Sequence, residues 1–61
     1  LEAAGLILVH NHPSGNPAPS DSDIVMTRRV IAAAAVFDMT VLDHVIVGGG
    51  RIFSLKAEGL L

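Results

Sequence analysis

The sequence contains no cysteine, no tryptophan and no tyrosine, and it has only two phenylalanines. Without cysteine the chain forms no disulfide, binds no zinc through thiolates and carries no cysteine nucleophile. A zinc site in this chain would therefore have to use imidazole nitrogen and carboxylate oxygen atoms.

Positive charge is also scarce. Six acidic residues outnumber the four cationic ones, which are scattered along the sequence: Arg28, Arg29, Arg51 and Lys56. Tracking a phosphate backbone needs clustered Lys and Arg, and binding single strands needs aromatic rings on which bases can stack. The composition therefore predicts that this segment does not bind nucleic acid directly.

Long apolar runs are absent too, although 51% of the chain is hydrophobic. The longest run, Val30 to Phe37, is far shorter than the roughly 20 residues that cross a bilayer. No signal-peptide pattern is present, so we expect a cytoplasmic protein. A chain of 61 residues buries only about 60% of its unfolded surface. We therefore expect a single partial domain with exposed apolar surface. The domain would cover that surface by forming a homo-oligomer or as part of a longer chain.

The succession of apolar, polar and turn-forming residues predicts an α/β fold with a mixed sheet. Residues 1–4 are compatible with the last turn of a helix, for which Gly5 would be the stop signal. A buried strand is predicted over Leu6 to Val9, extending one residue further. After a loop, Ser20 is a favourable N-cap for a helix from Asp21 to Phe37.

The predicted helix has an apolar stripe at helical spacing: Ile24, Met26, Thr27, Val30, Ile31, Ala34 and Ala35. Arg28 and Arg29 mark a polar sector early in the helix. The run Ala32 to Ala35 is predicted to pack closely against the sheet. Residues 38–40 end the helix without a glycine, so this boundary is poorly defined.

A second strand is predicted over Val41 to Val47, which is rich in β-branched residues. The triglycine Gly48 to Gly50 then reverses the chain into a third strand, Arg51 to Leu55. A strand–helix–strand crossover favours parallel pairing of the first two strands, and the hairpin adds an antiparallel one. No helix follows the triglycine, and its spacing matches no phosphate-binding motif.

The residues able to carry chemistry are concentrated in positions 10–23. His10 and His12 are two apart at the end of the first strand, so both imidazoles can face one point. A loop with three prolines, which restrict its path, leads to Asp23 in the first turn of the helix. Two imidazoles and one carboxylate suit Zn2+, with the fourth position left to water. The sequence therefore predicts a zinc site.

The same residues also have a structural interpretation. Ser20-x-x-Asp23 matches a capping box, in which the carboxylate serves the start of the helix. Ser20 can act both as cap and as catalytic group. His10 and His12 alone would be two solvated imidazoles at a polar strand end. The histidine pair, the proline-rich loop and the aspartate together favour the metal site.

A third histidine, His44, follows Asp43 on the second predicted strand. Adjacent residues of a strand point to opposite faces, so the two side chains cannot face each other as a relay. We expect His44 to be a structural or surface histidine.

The spacing His10-x-His12, seven residues, Ser20-x-x-Asp23 resembles the JAMM motif of MPN-type metalloproteases. The longer string His-Asn-His-Pro-Ser-Gly-Asn-Pro-Ala-Pro-Ser is similar to the RadC family of bacterial proteins, which carry a JAMM-like domain. Residues 41–48 and 58–61 also resemble the C-terminal end of that family. The resemblance implies an MPN/JAMM fold, three-layered like that of cytidine deaminases, with helices flanking the sheet. This chain would be its C-terminal part, residues 1–61.

The resemblance also implies roles for individual residues. His10, His12 and Asp23 match the ligands of one zinc ion, and Ser20 matches the serine that stabilises the tetrahedral oxyanion. The implied reaction is hydrolysis of a peptide or isopeptide bond in a peptide or protein substrate, by water that zinc activates.

In one respect the sequence departs from the family pattern, which places a glutamate base on an earlier strand. The upstream glutamate present is Glu2, and four strand residues span about 13 Å at roughly 3.3 Å each. Glu2 should therefore lie at the opposite end of the sheet from the metal. Asp21 should point away from the metal, and the sequence does not position Glu58. We therefore expect this chain to lack the proton acceptor.

Two other function classes stay open: a non-catalytic MPN-like scaffold, and a nucleic-acid hydrolase or DNA-repair accessory, a role with which RadC proteins are labelled. The acidic balance and the missing aromatics argue against the second for this segment. A zinc deaminase is disfavoured because its signature needs cysteine ligands and a glutamate two residues after the first histidine. That position is His12 here.

Overall fold

A computed structural model describes residues 4–61. Its elements are β1 (Ala4–Asn11), α1 (Asp21–Val36), β2 (Met39–Gly48) and β3 (Arg51–Ser54). The strands form one sheet in the order β1-β2-β3, with β1 parallel to β2 and β3 antiparallel to it. The predicted α/β fold with a mixed sheet is confirmed. Among the described residues, no helix is long and apolar enough to span a membrane.

The prediction that Gly5 ends a helix is wrong. Gly5 lies inside β1, where it pairs with Thr40. The register shifts between Leu6 and Ile7, which leaves Leu42 of β2 without a partner. A Cβ on Gly5 would lie 2.7 Å from Leu42 Cδ1, so the glycine makes room for Leu42 at this bulge. Residues 1–3 of the predicted helix lie outside the described part of the chain.

Helix α1 ends at Val36, one residue before the predicted end. The backbone N–H of Phe37 donates to Ala34 O at 3.0 Å, and Asp38 then adopts a left-handed φ of 55°. Glycine usually occupies this position. Because Asp38 reverses the chain there, β2 begins at Met39, two residues earlier than predicted.

The face of the sheet under α1 forms the core, in which Ile46 and Leu55 are fully buried. The predicted helical stripe is only partly right. Thr27 and Ala34 are buried and Val30 is half-buried. The other predicted core positions of the helix are exposed, apart from half-buried Ile24: Met26, Ile31, Ala32, Ala33 and Ala35. The alanine run therefore does not pack as a block, since one helix face can contact the sheet only every three or four residues.

The opposite face of the sheet is apolar and open. Val9 of β1 and Ile52 of β3 are each 72% exposed. The register places Val45 and Val47 of β2 between them. Within residues 4–61, no helix packs on this face.

Between α1 and β2 lies a buried polar pair, Thr27 and His44, with exposed fractions of 2% and 1%. The Thr27 hydroxyl donates to Asp23 O at 2.8 Å. It must therefore accept from His44 Nδ1, which lies 2.5 Å away. Burial lowers the pKa of His44, so its ring is neutral with the proton on Nδ1. His44 is thus a structural histidine rather than a surface one.

Asp43 points away from the His44 ring, as expected for neighbours on a strand. Its carboxylate accepts from the Ser54 hydroxyl at 2.6 Å and from the backbone N–H groups of His44 and Lys56. The Ser54 bond holds the pKa of Asp43 below its ordinary value. Asp43 therefore fastens the end of β3 to β2 and takes no part in a relay.

Removing one methyl group from the core should lower the free energy of unfolding more than removing one from the open face. Ile46→Val should lower the free energy of unfolding by about 1 kcal/mol, because the vacated space cannot fully collapse. Ile52→Val removes the same group from a position 72% exposed and should change it by less than about 0.5 kcal/mol. Urea denaturation measures both values; equal losses would contradict this placement of the core.

The Thr27 hydroxyl should be needed for stability, and not merely its volume. Thr27→Val leaves the buried His44 Nδ1 proton without an acceptor and should cost about 1–3 kcal/mol. Thr27→Ser keeps the hydroxyl and serves as the control. Chemical denaturation of both variants tests this, and the expectation fails if valine is tolerated as well as serine.

Candidate metal centre

His10 and His12 stand at the carboxyl end of β1. His12 follows the last strand residue, and its backbone N–H still donates to Val47 O of β2 at 2.9 Å. The strand geometry is thus maintained over both histidines. Their ring centroids lie 4.6 Å apart. The structure therefore brings together the two imidazoles that the sequence placed on one side.

Asp23 completes the group from the first turn of α1. Its Oδ2 lies 2.9 Å from His12 Nε2, and its Oδ1 lies 3.4 Å from His10 Nδ1. One ligand atom from each of the three residues lies within 4.8 Å of the others. Asp23 is only 7% exposed, so its carboxylate faces the histidines rather than bulk water.

The loop between β1 and α1 determines which nitrogen of His12 faces Asp23. His12 Nδ1 donates to the backbone carbonyl of Asn16 at 2.8 Å. The backbone N–H of Gly15 in turn donates to His12 O at 3.1 Å. In a neutral imidazole whose Nδ1 carries the proton, Nε2 holds a lone pair. A backbone carbonyl on the second nitrogen is one of the partners that commonly orient a metal-binding histidine.

The capping box is also present. The Ser20 backbone N–H donates to Asp23 Oδ2 at 2.9 Å, and the Asp23 backbone N–H donates to Ser20 Oγ at 3.2 Å. The first of these bonds holds the pKa of Asp23 below its ordinary value, so the carboxylate is ionised at neutral pH. The structural interpretation is therefore confirmed, and it is compatible with the metal-binding one, because the capping carboxylate also faces both histidines.

The donor set fits a zinc ion. His10 Nδ1 is buried and has no hydrogen-bond partner, which is rare for a nitrogen inside a protein. Ligand atoms about 2.0–2.1 Å from a tetrahedral zinc lie about 3.3 Å from one another. The two measured separations, 2.9 and 3.4 Å, are close to this value. Two imidazoles and one carboxylate also leave a fourth position open, as in catalytic zinc sites.

The other acidic residues considered from the sequence do not join the group. Asp21 is exposed on the first turn of α1, and Glu58 is exposed in the turn after β3. Glu2 lies outside the described residues. Within residues 4–61, the three-residue group contains no glutamate. That the chain lacks the general base therefore stays a prediction.

The sequence did not predict the two residues that contact the candidate ligands from the side of the core. Thr27 bonds the backbone carbonyl of Asp23, and the His44 ring stacks on His10 with centroids 6.0 Å apart. The i+4 spacing of Thr27 from Asp23 was an available signal. For His44 the signal was its even spacing with Ile46 on β2, which puts both on the face under α1.

Comparison with known proteins gives one family match and several similar proteins. The RadC-like JAB domain matches residues 1–60. The chain is 50% identical over 60 residues to a UPF0758 protein from Roseiflexus, covering 98% of this chain and 26% of that protein. A UPF0758 protein from Desulforudis audaxviator is 57% identical over 58 residues, with coverages of 95% and 25%.

A third relative comes from Methanococcoides burtonii. This UPF0758 protein is 51% identical over 59 residues, covering 97% of this chain and 26% of the relative. The chain thus spans about a quarter of the length of the curated relatives that it matches. From the match over residues 1–60, we conclude that the chain belongs to the RadC-like JAB domain family.

Proposed function

We propose that this protein is a zinc-dependent hydrolase of peptide or isopeptide bonds. One observation carries the proposal: His10, His12 and Asp23 converge within 4.8 Å, and the buried His10 Nδ1 has no partner of its own. A buried polar atom without a partner costs about 1–3 kcal/mol. A cation held jointly by the three residues would satisfy that nitrogen.

In this proposal two of the three ligands, His12 and Asp23, are oriented before the ion arrives. Asn16 O holds the proton on His12 Nδ1 and so turns Nε2 towards Asp23. The Ser20 backbone N–H orients the Asp23 carboxylate. Zinc bound there would lower the pKa of a water molecule to about 7 and polarise the scissile carbonyl. The negative carboxylate also balances part of the charge of the cation.

The hydroxyl proton of Ser20 is not used by the helix cap and can be donated to another group. The Ser20 hydroxyl oxygen accepts from the Asp23 backbone N–H as the helix cap, and lies 3.0 Å from Ser22 Oγ in a pair in which either hydroxyl can donate. Ser20 is exposed, so a substrate can take the place of Ser22 as acceptor. We assign Ser20 as the donor to the oxyanion that forms when water adds to the amide carbon. Such a donor contributes about 3–4 kcal/mol where it has been measured.

The proton acceptor must come from outside the described residues. Hydrolysis of an amide requires a base that takes the proton of the attacking water and an acid that returns one to the leaving nitrogen. The group within residues 4–61 contains no carboxylate besides Asp23. Because the chain spans about a quarter of its relatives, we propose that the base lies elsewhere in the longer protein.

Because the group within residues 4–61 contains no base, a second candidate is supported, a non-catalytic MPN-like scaffold that binds zinc without turnover. The two functions share the metal site and differ only in whether a bound amide is cleaved. Metal binding and cleavage must therefore be measured separately.

Zinc binding should depend on Asp23 and not on its neighbour Asp21. Both residues lie in the first turn of α1, where either negative charge stabilises the helix N-terminus. Asp23→Asn removes the ligand charge and one of the two carboxylate oxygens while keeping an oxygen that can accept the Ser20 N–H, and should abolish stoichiometric zinc binding at micromolar concentration. Asp21→Asn makes the same change on an exposed side chain and should leave the zinc content intact.

Elemental analysis and competition with a chromogenic chelator measure both variants, with His12→Ala as a second ligand variant. Thermal melts of the metal-free proteins check that each variant folds. Zinc retained by Asp23→Asn and His12→Ala, or absent from the wild type, would contradict the proposed site.

The hydroxyl proton of Ser20 should matter for cleavage beyond its role as a cap. Ser20→Ala should lower kcat by about 10²–10³-fold, the loss seen when one oxyanion donor is removed. Ser20→Thr keeps both cap and donor and should restore most of the rate. Cleavage of peptide and isopeptide libraries by the zinc-loaded full-length protein, followed by mass spectrometry, measures this. A zinc-loaded wild type that cleaves nothing would leave the scaffold function.

A further inference from the structure

The turn between β2 and β3 contacts the metal-binding loop, and this contact is not needed for the hairpin itself. Three consecutive glycines form the turn, Gly48 to Gly50. The loop that lies against it, residues 15–17, connects His12 to α1. Hairpin geometry explains glycine where φ is positive. It does not explain why the backbones of the turn and the loop approach each other so closely.

Gly48 is constrained by space rather than by conformation. Its φ is not in the left-handed region, so other residues could adopt its backbone geometry. A Cβ at this position would nevertheless lie 3.1 Å from the carbonyl carbons of Gly15 and Asn16, and 3.2 Å from Pro17 N. All three atoms belong to the backbone, so none can move aside by a side-chain rotation.

Gly49 and Gly50 differ in the space available for a Cβ atom. Both have left-handed φ values, 58° and 72°. A Cβ on Gly49 would lie 2.4 Å from Gly15 O, whereas a Cβ on Gly50 meets no atom within 4 Å. The two positions thus share the conformational requirement, and only Gly49 also contacts the loop.

The contacted loop residues are those that hold His12. Asn16 O accepts from His12 Nδ1 at 2.8 Å, and the Gly15 N–H donates to His12 O at 3.1 Å. Moving Gly15 or Asn16 away from the turn would draw the acceptor from the imidazole. Nothing else in the described structure accepts from His12 Nδ1, so the ring would lose the bond that keeps the proton on Nδ1 and would be held only by its contact from Nε2 to Asp23 Oδ2 at 2.9 Å.

We propose that Gly48 and Gly49 are positioning residues of the metal site, which act on His12 through the backbone of residues 15 and 16. The turn packs against the loop and so keeps the Asn16 carbonyl within hydrogen-bonding distance of His12 Nδ1. For its effect on the metal, this inference rests on the proposed zinc site. Its effect on the His12 ring holds without a metal.

The matched test compares Gly49→Ala with Gly50→Ala. Both variants place alanine at a left-handed φ and incur the same strain, but only the first displaces the loop. Gly48→Ala is a second variant, which displaces the loop without a positive φ. The full-length protein is titrated with Zn2+ against a chromogenic chelator, and the visible spectrum of the Co2+ form reports the coordination geometry. Thermal melts of the metal-free proteins give the stability.

We expect Gly49→Ala and Gly48→Ala to weaken zinc binding by about 10–100-fold, the range found when an outer partner of a metal-binding histidine is lost. Gly50→Ala should bind zinc like the wild type, and it should melt above Gly49→Ala, which adds the clash with Gly15 O to the same left-handed strain. In the metal-free protein, the ring proton resonances of His12 should shift in Gly49→Ala and not in Gly50→Ala.

Equal zinc affinity and equal His12 resonances in Gly49→Ala and Gly50→Ala would overturn the proposal. If Gly49→Ala does not fold, a zinc affinity of Gly48→Ala equal to that of the wild type would overturn the proposal. A wild type that binds no zinc refutes the proposed function instead. In that case the His12 resonances still decide whether the turn positions the ring.

Discussion

The Asp23 carboxylate is the point on which the rest of the structure depends. It accepts the Ser20 backbone N–H, which otherwise has no partner at the start of α1, and it lies 2.9 Å from His12 Nε2. A helix start needs such an acceptor whether or not a metal is present. The Asp23 side chain, the third candidate ligand, is therefore held in its orientation by a requirement of the helix.

The parallel pairing of β1 and β2 brings the remaining parts of the site to one edge. Strands that run the same way end at the same edge, where α/β proteins commonly place their ligands. The end of β1 carries His10, and the end of β2 leads into the glycine turn that contacts residues 15–17. A backbone bond from His12 N to Val47 O joins the two ends. This bond thus belongs both to the sheet and to the backbone of a candidate ligand.

Features set by local pattern could be predicted from the sequence. The helix start at Asp21, the parallel strands, the hairpin and the convergence of His10 and His12 follow from capping residues, β-branched runs and alternation. Features set by contacts between distant segments could not. Gly5 reads as a helix stop until Leu42 is seen to lie over it.

The Thr27–His44 bond shows the same limit at the site. Threonine on an apolar helix stripe predicts packing, and histidine on a strand predicts a surface or structural role. Only the seating of α1 on β2 brings Oγ1 and Nδ1 together. The hydroxyl proton then goes to Asp23 O, which links the buried pair to the turn that carries the ligand. The polar core and the candidate metal centre are therefore one continuous network, and a change that reorients His44 should reach Asp23 through a single hydroxyl.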